Sequence, residues 1–113
     1  MFETFSIDLG KDGLETLFTP WQVEAMKLLW GGHEYKSGEM HAALNAKGID
    51  ISRASVIMFL DRMTSEGVLA YREATGKGGH HRIYRAALTE DDLWGGVASA
   101  FSVKLVEAKK GGK

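Results

Sequence analysis

The stretch SRASVIMFLDRMTSEGVLAYREATGKGGHHRIYRAAL, residues 52–88, changes its apolar period partway along, and that change decides the fold. In its first part Val56, Phe59, Leu60 and Met63 recur at i, i+3, i+4 and i+7, the stripe of an amphipathic helix. Ser52 stands where a helix needs an acceptor for its orphan amides, and Gly67 stands where one stops. From Val68 the period becomes two. Residues 68–73 and 81–88 suit strands, and Ala74-Thr75-Gly76-Lys77-Gly78-Gly79 between them is a turn signal. The stretch is predicted to be a helix followed by a β-hairpin with a flexible tip.

Two shorter helices are predicted upstream. Thr19-Pro20-Trp21-Gln22 combines a hydroxyl cap, proline at the first helical position and Gln three residues after the cap, and Trp21, Ala25, Leu28 and Leu29 continue at helical spacing to Trp30, before Gly31-Gly32. Ser37 offers the cap of a second helix over 38–47, with Met40, Ala43 and Leu44 on one face and Gly48 after its end. Downstream, Thr89 and Asp92 open a helix on which Leu93, Val97, Phe101 and Leu105 step by four, with Trp94 alongside and a frayed tail over 109–113. Residues 1–18 alternate at Phe5, Ile7 and Leu9 and read as a short strand or arm, then a helical turn.

At 113 residues and 44% hydrophobic, the chain suits one domain with a terminal appendage. The division predicted is an N-terminal arm over 1–18, a compact unit over 19–88 and a C-terminal helix with its tail over 89–113. No cysteine is present, which removes disulfides, thiolate zinc sites and thiol redox switches. Glu3, Asp8, Lys11, Asp12 and Glu15 occupy the start, so no signal peptide is read there, and no apolar run reaches the roughly 18 residues of a membrane span. A cytoplasmic protein is expected. The net charge of −1 is unevenly spread: residues 1–50 hold four Lys against eight Asp or Glu, residues 51–88 six Lys or Arg against three acids, and residues 89–113 four against four.

Helix, helix, helix, hairpin, helix is the order of a mainly α winged helix-turn-helix with a small β-hairpin wing, here with a C-terminal dimerisation helix. In such a module the third helix enters the major groove, and that helix with its wing is the positive segment of this chain. Double-stranded DNA is therefore the expected partner. Ser52, Arg53, Ala54, Ser55 and Met58 are candidate base readers or their supports, and Arg62, Arg72, Lys77, His80, His81 and Arg82 candidate phosphate contacts. Leu93, Trp94, Val97, Phe101 and Leu105 are the candidate surface of a homodimer.

Over residues 17–92 the chain resembles the penicillinase-repressor (BlaI/MecI/CopY-type) family. The matching pieces are the run Thr19 to Trp30, then Ser37, Glu39, His41, Ala43 and Leu44, then Ser55-Val56, Leu60-Asp61-Arg62-Met63 and Gly67-Val68-Leu69, and in the wing Arg82, Tyr84 and Leu88-Thr89-Glu90-Asp91. The resemblance implies a repressor that binds a palindromic operator as a homodimer paired through its last helix. Ala54 and Met58 stand where many relatives carry threonine, which points to apolar contacts such as thymine methyls. The C-terminal part is short, and no Asn-Phe bond like the family's inactivating cleavage site and no cysteine-rich metal tail is present. Proteolytic induction and thiolate copper sensing are thus not expected.

Several residues carry two readings. Arg53 reaches either a guanine or a phosphate, Ser55 either bonds backbone or touches DNA, and Arg62 either pairs with Glu66 at i+4 or reaches a phosphate. His80 and His81 are the nearest approach to a metal pair, but no third ligand is near in sequence, so neither metal nor cofactor is expected and a role beside the wing is. Trp21, Trp30, Trp94, Phe59 and Tyr84 fall on apolar stripes and read as core. No nucleophile with a base, carboxylate pair or phosphate loop stands out, so an enzyme is not expected. The alternative is a winged-helix module that binds protein through Ile57, Met58 and Asp61, without DNA. A third reading has residues 1–18 and the last helix enclose a small-molecule pocket, whose effector is unknown.

Overall fold

The computed structural model describes residues 2–111. After a 3-10 turn at Gly13–Thr16 come α1 (Pro20–Trp30), β1 (Tyr35–Lys36), α2 (Ser37–Ala46), α3 (Arg53–Ser65), β2 (Leu69–Gly76), β3 (Gly79–Ala86) and α4 (Glu90–Gly111). The molecule is a winged helix: α1 to α3 form the trihelical core and β2 with β3 the wing. The sheet is antiparallel in the order β1-β3-β2, with Tyr71 opposite Tyr84 and Gly76 opposite Gly79.

Helix ends follow local chemistry. The backbone N–H of Thr19 donates to Gln22 Oε1 at 3.1 Å, and that of Asp92 to Thr89 Oγ1 at 3.1 Å. For α2 the cap is Lys36, not Ser37: Ser37 is already helical, and the Lys36 N–H donates to Glu39 Oε1 at 2.7 Å. The shift arises because Tyr35 and Lys36 pair with Tyr84 and Ile83 as β1, a strand of two residues that no periodicity announces. Between α2 and α3 the turn passes through Gly48 at φ +83°, where a side chain would be strained. His41 Nε2 spans that turn, 2.9 Å from the Ile51 carbonyl oxygen.

The wing is longer and its tip tighter than expected. Pairing continues through Thr75 with His80 and Gly76 with Gly79, leaving Lys77 and Gly78 as the turn. Gly78 and Gly79, at φ +92° and +101°, supply the left-handed backbone that lets so short a link reverse direction.

One core joins all parts of the chain. Met26, Leu29, Met40, Leu44, Leu60 and Leu93 are fully buried, and Phe5, Leu17 and Phe18 of the first 18 residues pack into the same cluster. Among the described residues of that leading segment no strand forms. A row of rings instead links it to α3: Phe2 to Phe5 at 5.9 Å between centroids, Phe5 to Phe18 at 5.6 Å and Phe18 to Phe59 at 6.0 Å. At the other end of the row Phe2 lies on Gly96 of α4, where a Cβ would meet its ring at 2.6 Å. The Thr4 N–H donates to Oε1 of buried Glu66 at 3.2 Å, fastening the segment to the end of α3 as well.

Helix α4 runs 22 residues, about 33 Å at 1.5 Å per residue, and gives the molecule its 57 Å long axis. It continues through Lys109 and Lys110 to Gly111, where a frayed tail was expected; residues 112 and 113 lie outside the described residues. Among the described residues no helix is long and apolar enough to cross a membrane.

Candidate nucleic-acid interface

Helix α3 turns Val56, Phe59, Leu60 and Met63 inward and leaves Ala54, Ile57 and Met58 outside, with Met58 72% exposed. Its start is organised by two serines. Ser52 Oγ accepts from the Ser55 N–H at 3.1 Å, and the two hydroxyls lie 2.9 Å apart. The adjacent Arg53 guanidinium lies against Gly38 at the start of α2, 3.4 Å from where a Cβ would stand.

A cleft between the wing and the two helices of the motif gathers Lys36, Arg53, His80, His81, Arg82 and the first turn of α2, with Ile57, Asp61 and Tyr84 also lining it. Strand alternation places His80, Arg82 and Tyr84 on one face of β3 and His81, Ile83 and Arg85 on the other, yet both histidines line this cleft. His81 is turned back to the tip, its Nε2 3.1 Å from the Lys77 carbonyl oxygen. Among the described residues no three of His, Cys, Asp and Glu come together as a metal site requires.

Two wing arginines are held by carboxylates. Arg82 Nη1 donates to Asp61 Oδ1 at 3.3 Å, and its guanidinium lies over the Tyr71 ring at 4.5 Å. Tyr84, 3% exposed, donates its hydroxyl to the same Asp61 oxygen at 2.7 Å. Burial, and then the Asp61 carboxylate, push the Tyr84 phenol up to about 12. Arg72 pairs on the opposite face of the wing, donating through Nε and Nη2 to the Glu34 carboxylate, both at 3.1 Å, and these bonds hold Glu34 below the usual carboxylate range. Arg53 and Lys77 form no ion pair among the described residues.

Tyr84 yields an expectation for alkaline pH. Its folded-state proton is held more tightly than in the unfolded chain, so its contribution to stability is complete below about pH 10 and is lost as pH rises through about 12. Unfolding midpoints followed between pH 9 and 12 should fall more steeply in the native protein than in Tyr84→Phe. Equal slopes would contradict the buried Tyr84–Asp61 bond.

The remaining candidates separate. Arg62 does not pair with Glu66: its guanidinium lies over the Phe59 ring at 5.9 Å and borders a groove with Ser6, Asp8 and Lys11, away from the wing cleft. Leu93 and Val97, read as dimer contacts, are 0% and 2% exposed in the protomer's own core, and Trp94 donates its indole N–H to Glu90 Oε2 at 3.2 Å. Phe101 is half-buried against the same core. Beyond it every described residue is exposed, Leu105 at 66% together with Val103 and Val106. Sequence reasoning missed Glu34, Lys36 and the anchoring role of Asp61, because their partners are distant in the chain.

Comparison with known proteins agrees with this architecture. No curated protein and no solved structure matches the chain. The family model described as penicillinase repressor matches residues 18–111, which takes in the trihelical core, the wing and α4. The chain therefore belongs to the penicillinase repressor family, a family of DNA-binding transcriptional repressors and not of enzymes.

Proposed function

We propose that the protein represses transcription in the cytoplasm as a homodimer, its two α3 helices entering successive major grooves of a palindromic operator. The observation that carries this reading is the cleft where Arg53, Lys36, His80 and His81 converge beside the exposed face of α3. The lysine and arginine so gathered neutralise phosphates beside a groove, and such contacts supply most of the affinity of a module of this kind. Arg53 reads a base edge or its adjoining phosphate, Ala54 and Met58 offer apolar contact to thymine methyls, and Lys77 at the wing tip meets the flanking backbone. A duplex from upstream of the protein's own gene, titrated at two salt concentrations, tests the assignment. Tight binding that weakens steeply with salt supports it, and binding of no duplex at either salt refutes it.

The pairing surface is the outer half of α4, where Val103, Leu105 and Val106 are exposed on a helix that projects from the body. Leu105→Glu should give a folded monomer by sedimentation velocity and weaken operator binding. A dimer that persists would place the contact elsewhere. The exposure of Met58 also suits a protein partner, and a complex with protein that is indifferent to salt would favour that second reading.

A further inference from the structure

We propose that Asp61 limits sequence-independent DNA binding by holding Arg82 on the recognition helix and off the phosphates, an inference that rests on the DNA-binding function proposed above. Asp61 lies one turn beyond Ile57 and Met58 on α3, so it sits on the side presented to a duplex. A carboxylate there opposes phosphate. It is kept in place by Tyr84, whose ring is buried and whose hydroxyl is therefore a fixed donor, 2.7 Å from Asp61 Oδ1.

Arg82 is engaged from two directions, by the same carboxylate oxygen at 3.3 Å and by the face of Tyr71 at 4.5 Å. Sequence-independent affinity comes from cations that exchange condensed counterions for contacts with phosphate. A guanidinium already matched by a fixed carboxylate gains less from that exchange, because drawing it to a phosphate leaves Asp61 unpaired beside the anionic backbone. The pair thus removes one cation per protomer from indiscriminate binding while leaving Arg53 and Lys77 for a site that fits. It also ties α3 to β3, so the helix and the wing approach the duplex as one surface.

The test uses the full chain and a 20-base-pair duplex of random sequence, with binding measured between about 50 and 200 mM salt. Asp61→Asn keeps an acceptor for Tyr84 and removes the charge. It should tighten binding at low salt and add about one phosphate per protomer to the salt dependence, a further loss of about 3- to 4-fold per protomer across that range. Asp61→Asn with Arg82→Ala, which removes the pair without leaving a lone carboxylate, should restore the native salt dependence. A salt dependence below the native one in the double variant would show Arg82 already on phosphate and overturn the proposal. An unchanged one in Asp61→Asn would overturn it too. Should Asp61→Asn not fold, Asp61→Ser with and without Arg82→Ala decides by the same comparison. Failure of the native protein to bind any duplex would instead refute the DNA-binding function, and this inference with it.

Discussion

Phe59→Ala should lower the thermal unfolding midpoint by about 15–30 °C, the largest effect expected of any single change on α3. Phe59 is 3% exposed and lies edge-on to both Trp21 at 5.3 Å and Phe18 at 6.0 Å, so its ring joins α3 to α1 and to the leading segment together. Truncating a buried phenylalanine costs about 3–5 kcal/mol in transfer and cavity terms, and the ring pairs add about 0.5–1.5 kcal/mol each. That is a large part of the roughly 5–15 kcal/mol by which a domain of this size is stable. Circular dichroism at 222 nm measures it. Phe59→Leu, which fills most of the space, should cost far less, and a loss below about 1 kcal/mol in the alanine variant would mean that the rings do not form a packed unit.

The second large effect is on binding. Arg53→Ala combined with Lys77→Ala should raise the dissociation constant for a cognate duplex by about 10- to 100-fold and lower the number of phosphates inferred from its salt dependence by about one per protomer, or about two if Arg53 meets phosphate. Both residues are exposed and form no ion pair among the described residues, so the variant should keep the native melting temperature. The single changes should differ. Lys77→Ala weakens all sequences alike, whereas Arg53→Ala relaxes the preference at one base pair if its guanidinium meets a guanine edge. Titrations on a panel of point-changed duplexes separate the two roles, and an unaltered salt dependence in the double variant would remove both residues from the interface.

Local and periodic features were readable before the structure, and distant pairings were not. The change of spacing after Gly67 located α3 and the wing, because helix packing and strand pleating each impose their own repeat. Ser52 was readable as a cap because its partner, Ser55, lies three residues on. The two residues of β1 carry no repeat at all; the edge of β3 makes them a strand. The stripe on α4 was visible as apolar, but a stripe does not say what covers it, and Leu93 and Val97 turned out to be covered by their own protomer. Arg72 and Arg82 read as phosphate contacts, and their ion pairs stayed hidden, because the carboxylates that hold them stand 38 and 21 residues away.

Gly96 and the four phenylalanines that lead from it make the outermost parts of the polypeptide neighbours of its middle. With the Phe2 ring seated where a side chain on residue 96 would have to go, α4 cannot shift along that seam without pushing the row that ends on Phe59. A displacement of α4 would therefore pass through packed rings to the buried side of α3, with no need for the peptide backbone between them to bend.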